Sequence, residues 1–286
     1  MKLGRPIREL VTIRSSCRTY SGEPVPMELL HRLRELMTGL PEAPFDGSAR
    51  FRLVEMKGDD GSTARRLGTY GVIRGARWFL VGAIENGPRA MEDFGFLMEA
   101  TILGATDLGL ATCWLGGTFN RSDYSRLLEA RMSETVPAIS PVGFPARKRA
   151  LADTIIRWSA GSKKRKEPSE LFFRQDFKKP MADVAANPYA IALESVRLAP
   201  SASNLQPWRL VLDESSGAVH FFMTRSRGYD KLIRAVDLQR IDMGIAMCHF
   251  ELCCRETGRS GRWELREPVL AGVPQKTEYI ASWFGR

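Results

Sequence analysis

The sequence has no apolar run long enough to cross a membrane, which takes about 20 residues. The longest useful run, Trp78 to Ile84, has the length of a β-strand. The N-terminal segment is interrupted by Arg5, Arg8 and Glu9, so it lacks the apolar stretch of a secretory signal peptide. We therefore expect no membrane partner.

Cysteine and histidine are both scarce. The five cysteines are odd in number and show no C-x-x-C spacing, which favours reduced thiols in a cytoplasmic protein. The three histidines stand apart along the chain, and His249 lies in an apolar segment that predicts a core histidine. We expect no metal site.

Acidic residues are too few to balance the basic ones, so the net charge is +9. Nucleic-acid-binding proteins usually cluster such charges with interleaved aromatics. Here they are scattered apart from Lys163–Lys166, and no zinc-finger or RNA-binding signature is present. That run fits a solvated linker, part of an anion site or a nucleic-acid contact. With no other support for the third, we expect no nucleic-acid partner.

The chain contains two sets of residues with the same spacing. The first set is Asp93, Gly95, Gly109 and Trp114, and the second is Asp242, Gly244, Gly258 and Trp263, at a constant offset of 149. Upstream, Ala43-Pro44 resembles Ala199-Pro200, and 50–54 resembles 207–211, at an offset of 156 to 157. Matches in the same order predict a diverged tandem repeat of a whole domain.

Apolar periodicity predicts a mixture of helices and strands. Helices are expected from about Pro6 to Arg14, from Pro26, over 93–108, over 189–198 and over 243–254; strands are expected over 51–56, 78–84 and 219–223. The irregular order favours an α+β fold over a doubly wound sheet. The segments 93–108 and 243–254 are apolar nearly all round, so we expect them to pack against each other. Residues 158–168 are the linker candidate.

The sequence Arg14-Ser15-Ser16-Cys17-Arg18, called here the RSSCR motif, places two guanidinium groups around hydroxyls at a helix end. Arginine forks and serine hydroxyls suit a phosphate dianion. The same pattern also occurs on ordinary protein surfaces, so by itself it leaves both interpretations open.

The second motif, Pro200-Ser201-Ala202-Ser203-Asn204, is called here the PSASN loop. Its serines offer donors, and Asn204 can donate and accept, as needed to bind the edge of a heterocycle such as a flavin pyrimidine ring. The alternative is a plain turn from a helix to a strand, followed by a core tryptophan.

These motifs together resemble the nitroreductase superfamily of FMN enzymes. The D-F-G-F helix, L-G-L-A-T-C-W-L-G-G at 108–117, P-V-G-F-P-A at 141–146 and K-K-R-K-E-P follow that family's order. Family members are usually homodimers in which one subunit binds the FMN phosphate and the other supplies the P-S-x-x-N loop. Here the first half lacks that Asn and the second lacks R-x-S-x-R.

The resemblance therefore implies a nitroreductase-like α+β fold in two tandem diverged copies, forming an intramolecular pseudodimer with one FMN site. Residues 1–165 would carry the phosphate cradle, and residues 166–286 would be a shortened lobe that supplies the PSASN loop. A single chain would then suffice for one catalytic unit.

Each residue's role follows from the resemblance. The phosphate end of FMN would be bound by Arg14, Ser15, Ser16, Arg18, Lys163 and Arg165, although spacing does not decide which of 163–166 take part. The ring would lie along Pro200, Ser201, Ser203 and Asn204, with backbone N–H groups of Leu115, Gly116 and Gly117 near its reactive edge. Thr69 and Tyr70 occupy the stretch where relatives place a polar ring contact.

The implied activity is FMN-dependent reduction of a small organic oxidant, such as a nitroaromatic or a quinone, with NAD(P)H as transient reductant in a ping-pong mechanism. The flavin would carry the chemistry, so no catalytic side chain is expected. No dinucleotide fingerprint distinguishes NADH from NADPH. The alternatives are an FMN-binding carrier or sensor without turnover, and a flavin-free anion-binding or nucleic-acid protein.

Overall fold

The computed structural model describes residues 1–56, 73–117, 119–147, 164–226 and 236–285. The chain divides into two compact units, Met1–Gly161 and Ser162–Arg286. Both units contain helices and a β-sheet, as the predicted α+β class requires.

Unit 1 contains a sheet with strand order β1-β2-β5-β3, in which β4 pairs with β2. Its helices are α1 (Ile7–Ile13), α2 (Met27–Thr38), α3 (Ala90–Asp107) and α4 (Arg121–Leu128); its strands are β1 (Ala49–Glu55), β2 (Trp78–Glu85), β3 (Ala111–Thr112), β4 (Glu134–Thr135) and β5 (Ile139–Gly143). Pro6 and Pro26 each stand just before a helix, where a fixed φ is compatible with helix entry and no amide hydrogen bond is lost.

Unit 2 contains a sheet with strand order β6-β7-β8-β10-β9. Its helices are α5 (Pro168–Leu171), α6 (Ala190–Leu198) and α7 (Leu238–Glu256), with a short 3₁₀ turn at Ala202–Asn204; its strands are β6 (Phe172–Arg174), β7 (Trp208–Leu212), β8 (Val219–Thr224), β9 (Gly261–Glu264) and β10 (Thr277–Gly285). Strand β6 is parallel to β7, and the other pairings are antiparallel.

The helices α3 and α7, called here the central helices, are buried nearly all round. Every residue of α3 from Ala90 to Thr106 is buried except Met91, and α7 is equally enclosed from Ile241 to Cys254. This burial explains why both segments are apolar on all faces rather than along one stripe. No helix among the described residues combines the length and hydropathy of a membrane span.

The central helices end in the same way. Gly109 and Gly258 have φ of +77° and +76°, and each is followed by a residue whose N–H donates to a carbonyl five positions earlier. Glycine is favoured there because a side chain is strained in the left-handed region. The two glycines are positions that the 149-residue offset had paired.

An aspartate on each central helix also accepts hydrogen bonds from the loop that precedes β1 in unit 1 and β7 in unit 2. In unit 1 the Asp93 carboxylate accepts the N–H groups of Phe45 and Gly47, at 2.9 and 2.7 Å. In unit 2 the Asp242 carboxylate accepts the N–H of Ala202 at 2.9 Å. The strand order β1-β2-β5-β3 of unit 1 also recurs in unit 2, as β7-β8-β10-β9. The two units thus share a strand order and a hydrogen bond from the loop to the helix.

The predicted elements are found with their ends shifted by up to five residues. Several elements were not predicted. Strands β3, β4, β6 and β9 are two to four residues long, which is too short for an alternating pattern to stand out. The longer strands β5, β7 and β10 and the helices α4 and α5 were also not predicted. Within the linker candidate, residues 158–163 lie outside the described residues, and Pro168 begins α5.

We expect Gly109→Ala to lower the free energy of unfolding of unit 1 by about 1 to 2 kcal/mol, because an L-residue is strained in the left-handed region. Gly87→Ala is the matched control, since an added Cβ there meets open space and its φ is not in that region. Urea unfolding of both variants checks the difference. Equal loss of stability in the two variants would contradict it.

Burial raises the pKa of Asp93 to about 6, against the opposing effect of the two N–H groups it accepts. An unfolded aspartate titrates near 3.9. Between those values the folded state holds more protons, so this group makes the free energy of unfolding fall as pH rises from about 4 to about 6.

Asp93→Asn removes that titration. The difference in unfolding free energy between this variant and the wild type should therefore change in the variant's favour between pH 4 and 6, and level off above. Urea unfolding at several pH values measures it, with the exposed Asp46→Asn in the same loop as control. A pH-independent difference for Asp93→Asn would show that this carboxyl does not titrate in the window.

Candidate functional site

The RSSCR motif lines a cavity of about 270 Å³ in unit 1. Pockets that enclose a whole small ligand usually measure about 300 to 1,000 Å³, so this cavity suits a terminal group rather than an entire cofactor. Its walls come from the end of α1, from β3 and from the segment after β5; they comprise Arg5, Ile13, Arg14, Ser15, Ser16, Cys17, Thr19, Thr106, Gly109, Leu110, Ala111, Thr112, Pro145 and Ala146.

Backbone hydrogen bonds on two sides hold the motif in place. Helix α1 ends at Arg14, whose N–H donates to Leu10, and the chain then becomes extended. Cys17 N–H donates to the Thr112 carbonyl at 2.8 Å, and Arg18 accepts from the Arg74 N–H at 2.9 Å. The motif therefore runs from beside β3 toward Arg74. Arg14, Ser15, Ser16 and Cys17 line the cavity.

The Arg14 guanidinium is oriented by a buried carboxylate. Its Nε lies 3.9 Å from Glu99 Oε1, and Glu99, fully buried on α3, accepts the Trp114 indole N–H through its other oxygen at 2.7 Å. A carboxylate buried in an apolar helix needs such partners. Glu99 was missed at the sequence level, although a lone Glu within F-G-F-L-M-E-A was the signal that it has a buried partner.

The cavity fits a phosphate in the character of its donors. Its lining carries two arginines and several hydroxyls and includes no Asp or Glu. Arg14 Nε is buried and makes no hydrogen bond within the described residues, because Glu99 is beyond hydrogen-bonding distance. An anion bound here would meet guanidinium and hydroxyl donors, which form the stronger charge-assisted hydrogen bonds.

Arg18 lies beside the cavity rather than in its lining. Burial raises the pKa of the Cys113 thiol, and the nearby charges of Arg18 and Arg14 and a hydrogen bond from Ser16 oppose that rise. Burial also raises the pKa of Tyr20, with Arg18 acting in the opposite direction. Arg18 therefore faces Cys113 and Tyr20, so its predicted phosphate contact remains a prediction.

The PSASN loop in unit 2 is held in a strained conformation. Ser203, Asn204 and Gln206 have φ of 50°, 54° and 48°, in the region that side chains usually avoid. Ser201 Oγ accepts the Gln206 N–H at 2.9 Å, and Asp242 accepts the Ala202 N–H at 2.9 Å. Such strain persists where the surrounding contacts over-determine it, and it is frequent at functional sites.

Lys164, Arg165 and Lys166 of the basic run form hydrogen bonds with Asn204 of this loop and with the nearby Gln206. Arg165 Nη1 donates to Asn204 Oδ1 at 2.5 Å, and Asn204 Nδ2 donates to the Lys164 carbonyl at 2.8 Å. Lys166 N–H donates to Gln206 Oε1 at 2.9 Å. Burial lowers the Lys166 pKa to about 8, helped by Arg209. Arg165, predicted to bind phosphate, is thus bonded to the loop predicted to contact the ring.

The loop of unit 1 that matches the PSASN loop contains no asparagine. Asn204 pairs with Ser48 at the offset of 156 residues and with Gly47 at the offset of 157. At Gly47 a Cβ would overlap the Asp93 carboxylate. Asp46 in this loop is left-handed, with φ of 61°, as Ser203 is in unit 2.

Some backbone groups of residues 115–117, which follow β3, already form hydrogen bonds within the protein. The Leu115 N–H donates to the Ile139 carbonyl at 2.9 Å, so it is not free for the predicted ring contact. Gly116 accepts from the Arg121 guanidinium through its carbonyl, and Gly117 is exposed. The prediction of a backbone donor near the ring thus rests on the glycines. Thr69, Tyr70 and Lys163 lie outside the described residues.

Two features of the cavity were not foreseen from the sequence. Arg5 lines it and is anchored by the helix-end residue Asp107, which accepts the backbone N–H groups of Gly4 and Arg5. Thr112 contributes the β3 wall. Arg5 belongs to no recognisable motif, and Thr112 lies within the segment 108–117 without having been assigned to the site. Each is brought to the cavity by long-range packing. Among the described residues no group of His, Cys, Asp and Glu is arranged to hold a metal ion.

A family model described as "Putative TM nitroreductase" matches residues 6–254 of this chain, so the protein belongs to that nitroreductase family. Its fold is similar to the crystal structure of a "putative nitroreductase" from Thermotoga maritima MSB8, with a TM-score of 0.60 at 18% identity. That alignment covers 99% of this chain and 95% of the other. The resemblance inferred from the motifs is thereby confirmed at the level of family and fold.

About half of the chain also aligns with nitroreductases solved with bound FMN. One from Desulfitobacterium hafniense DCB-2 is 22% identical over 50% of this chain and 90% of its own, and one from Bacteroides fragilis NCTC 9343 is 22% identical over 51% and 92%. Both TM-scores are 0.40, too low to carry an argument about this chain. The comparison with curated protein sequences gives no match.

Proposed function

We propose that this protein is an FMN-dependent oxidoreductase that reduces a small organic oxidant, such as a nitroaromatic or a quinone, with electrons from NAD(P)H. The observation that carries the proposal is a cavity lined by Arg14, Ser15, Ser16 and Cys17 of the RSSCR motif. Among the described residues its walls hold arginines and hydroxyls and no carboxylate. Membership of the nitroreductase family agrees with it.

In this proposal the residues that bind the FMN phosphate and those that bind its ring come from different parts of the sequence. Arg14, Ser15 and Ser16 bind the phosphate, with Arg18 beside them. Pro200, Ser201, Ser203 and Asn204 lie along the ring, and the backbone at 115–117 lies near its reactive edge. The repeated strand order, the matched helix ends and the matched aspartate ties support an internal duplication that gives a pseudodimer within one chain.

Bound FMN would supply the redox chemistry, by accepting a hydride from NAD(P)H and passing the electrons to the oxidant. The chain's residues then have binding and positioning roles. Arg14 neutralises the charge of the phosphate, and Glu99 keeps the Arg14 guanidinium oriented. In the PSASN loop, the left-handed backbone at Ser203 and Asn204 positions the Asn204 side chain. We place the protein in the cytoplasm, because all five cysteines are free and four of them are buried.

Arg14 and Arg165 can be separated by comparing FMN with riboflavin, which lacks the phosphate. Arg14→Gln should weaken FMN binding by roughly 1.5 to 3 kcal/mol, the value of one contact to a charged group, and leave riboflavin binding unchanged. If Arg165 positions Asn204, Arg165→Gln should weaken both flavins alike. Fluorescence titration of the apoprotein measures the four dissociation constants.

Arg8→Gln is the control, since Arg8 is exposed on α1 outside the cavity. A purely phosphate-dependent effect of Arg165→Gln would assign Arg165 to the phosphate cradle instead. Equal affinity of wild type and Arg14→Gln for FMN would remove the phosphate role of the motif.

The reductase activity predicts two independent half-reactions at one flavin per chain. NADH or NADPH should bleach the 450 nm band of the loaded protein in an anaerobic stopped-flow experiment, and a quinone or nitroaromatic should restore it. Steady-state plots should show the parallel lines of a ping-pong mechanism. If neither nicotinamide reduces a fully loaded protein, the protein is an FMN carrier or sensor; flavin near two per chain would indicate a second cradle.

A further inference from the structure

Unit 1 contains a second and larger cavity, of about 540 Å³, away from the RSSCR motif. It lies between the end of α2, the loop at 40–48 and the edge of strand β1, and we call it the edge groove. Its lining comprises Arg34, Met37, Thr38, Leu40, Pro41, Ala43, Gly47, Ser48, Ala49, Arg50, Phe51, Arg52, Leu53 and Leu97. The volume is within the range of small-molecule sites.

The groove combines an apolar wall with positive charge. Met37, Leu53 and Leu97 belong to the apolar part of the lining. Its charged residues, among those that the structure describes, are three arginines. Arg50 is bonded to the Glu134 carboxylate and to two backbone carbonyls, so its charge is largely neutralised. Arg52 lies 3.9 Å from Glu129, a pair that is exposed to solvent.

Arg34 is the cation best placed for a ligand. Its guanidinium lies 5.8 Å from the centre of the Trp78 ring, and within the described part of the chain it forms no ion pair. An arginine held against an aromatic face keeps its edge available for a carboxylate. The cavity therefore presents one partly buried guanidinium without an acidic partner, above an apolar wall.

In unit 2 the region that corresponds to the edge groove is occupied by a segment of the chain. There the matched loop, 199–207, and the edge of β7 are covered by the segment 164–174. Arg165 Nη2 donates to the Leu198 carbonyl at 3.0 Å, and Phe172 pairs with Leu210 in the sheet. Leu171 and Phe172 are fully buried. In unit 1, β1 is an edge strand of the described sheet, and the matched place remains a cavity.

We propose that the edge groove binds a small organic anion with an apolar body, of the arylcarboxylate class, whose carboxylate pairs with Arg34. A peptide like the segment that covers β7 is a poorer candidate, because that segment begins with three basic residues and the groove carries arginines. The site is separate from the RSSCR cavity and does not depend on the proposed redox function.

The test uses the full-length protein, loaded with whatever flavin it retains, and the probes 2-naphthoate and its neutral analogue 2-naphthamide. Calorimetric titration should give saturable binding of naphthoate and much weaker binding of naphthamide. Arg34→Gln should weaken naphthoate binding about tenfold, as expected for one lost charge-assisted contact, and bring it close to that of the amide.

Arg32→Gln is the matched control, because Arg32 is exposed on the same helix and does not line the groove. It should leave naphthoate binding unchanged. Ser48→Trp places a large side chain at the exposed mouth of the groove and should abolish binding of naphthoate. Flavin content should be the same in all variants, which separates this test from that of the redox function.

Three results would overturn the proposal. The first is no saturable naphthoate binding at millimolar concentration. The second is an equal effect of Arg34→Gln and Arg32→Gln, which would indicate nonspecific attraction to a basic surface. The third is release of flavin by naphthoate, which would place the probe in the flavin site instead.

Discussion

Each unit depends on an aspartate carboxylate buried in its central helix. Burial of a carboxylate is costly unless hydrogen bonds replace its water, so Asp93 and Asp242 must receive backbone N–H groups from the loop that precedes the first matched strand. Those hydrogen bonds hold the loop against the helix, and the loop contains left-handed residues in both units. The strand that follows each loop therefore starts from a defined position. In unit 1 this strand is β1, beside the edge groove, and in unit 2 it is β7, which follows the PSASN loop.

The two loops differ in their chemistry. In unit 1 the Asp93 carboxylate comes so close to the chain that position 47 has no room for a Cβ, and the loop borders the edge groove with its arginines. In unit 2 the loop carries Asn204, whose side-chain amide is hydrogen-bonded to Arg165 and to the Lys164 carbonyl.

The RSSCR cavity shows how a buried acid supports a basic site. Glu99 is a fully buried residue of α3 that lies beside the Arg14 guanidinium and accepts the Trp114 indole N–H. It orients the guanidinium without forming a short hydrogen bond to it, which leaves Arg14 Nε as a buried donor. An anion in the cavity would complete this arrangement of charges. Deleting Glu99 would free the guanidinium to move rather than strengthen the site.

The sequence by itself determined the local features. Apolar residues on all faces predicted both central helices, the equal spacing to Gly109 and Gly258 related the two halves, and the motifs around Arg14 and Asn204 identified the family. Such features depend on residues close together in the chain. The short strands, the Glu99–Arg14 pair, the bond from Arg165 to Asn204 and the edge groove were decided by tertiary structure, because each joins residues whose proximity results from packing across many positions.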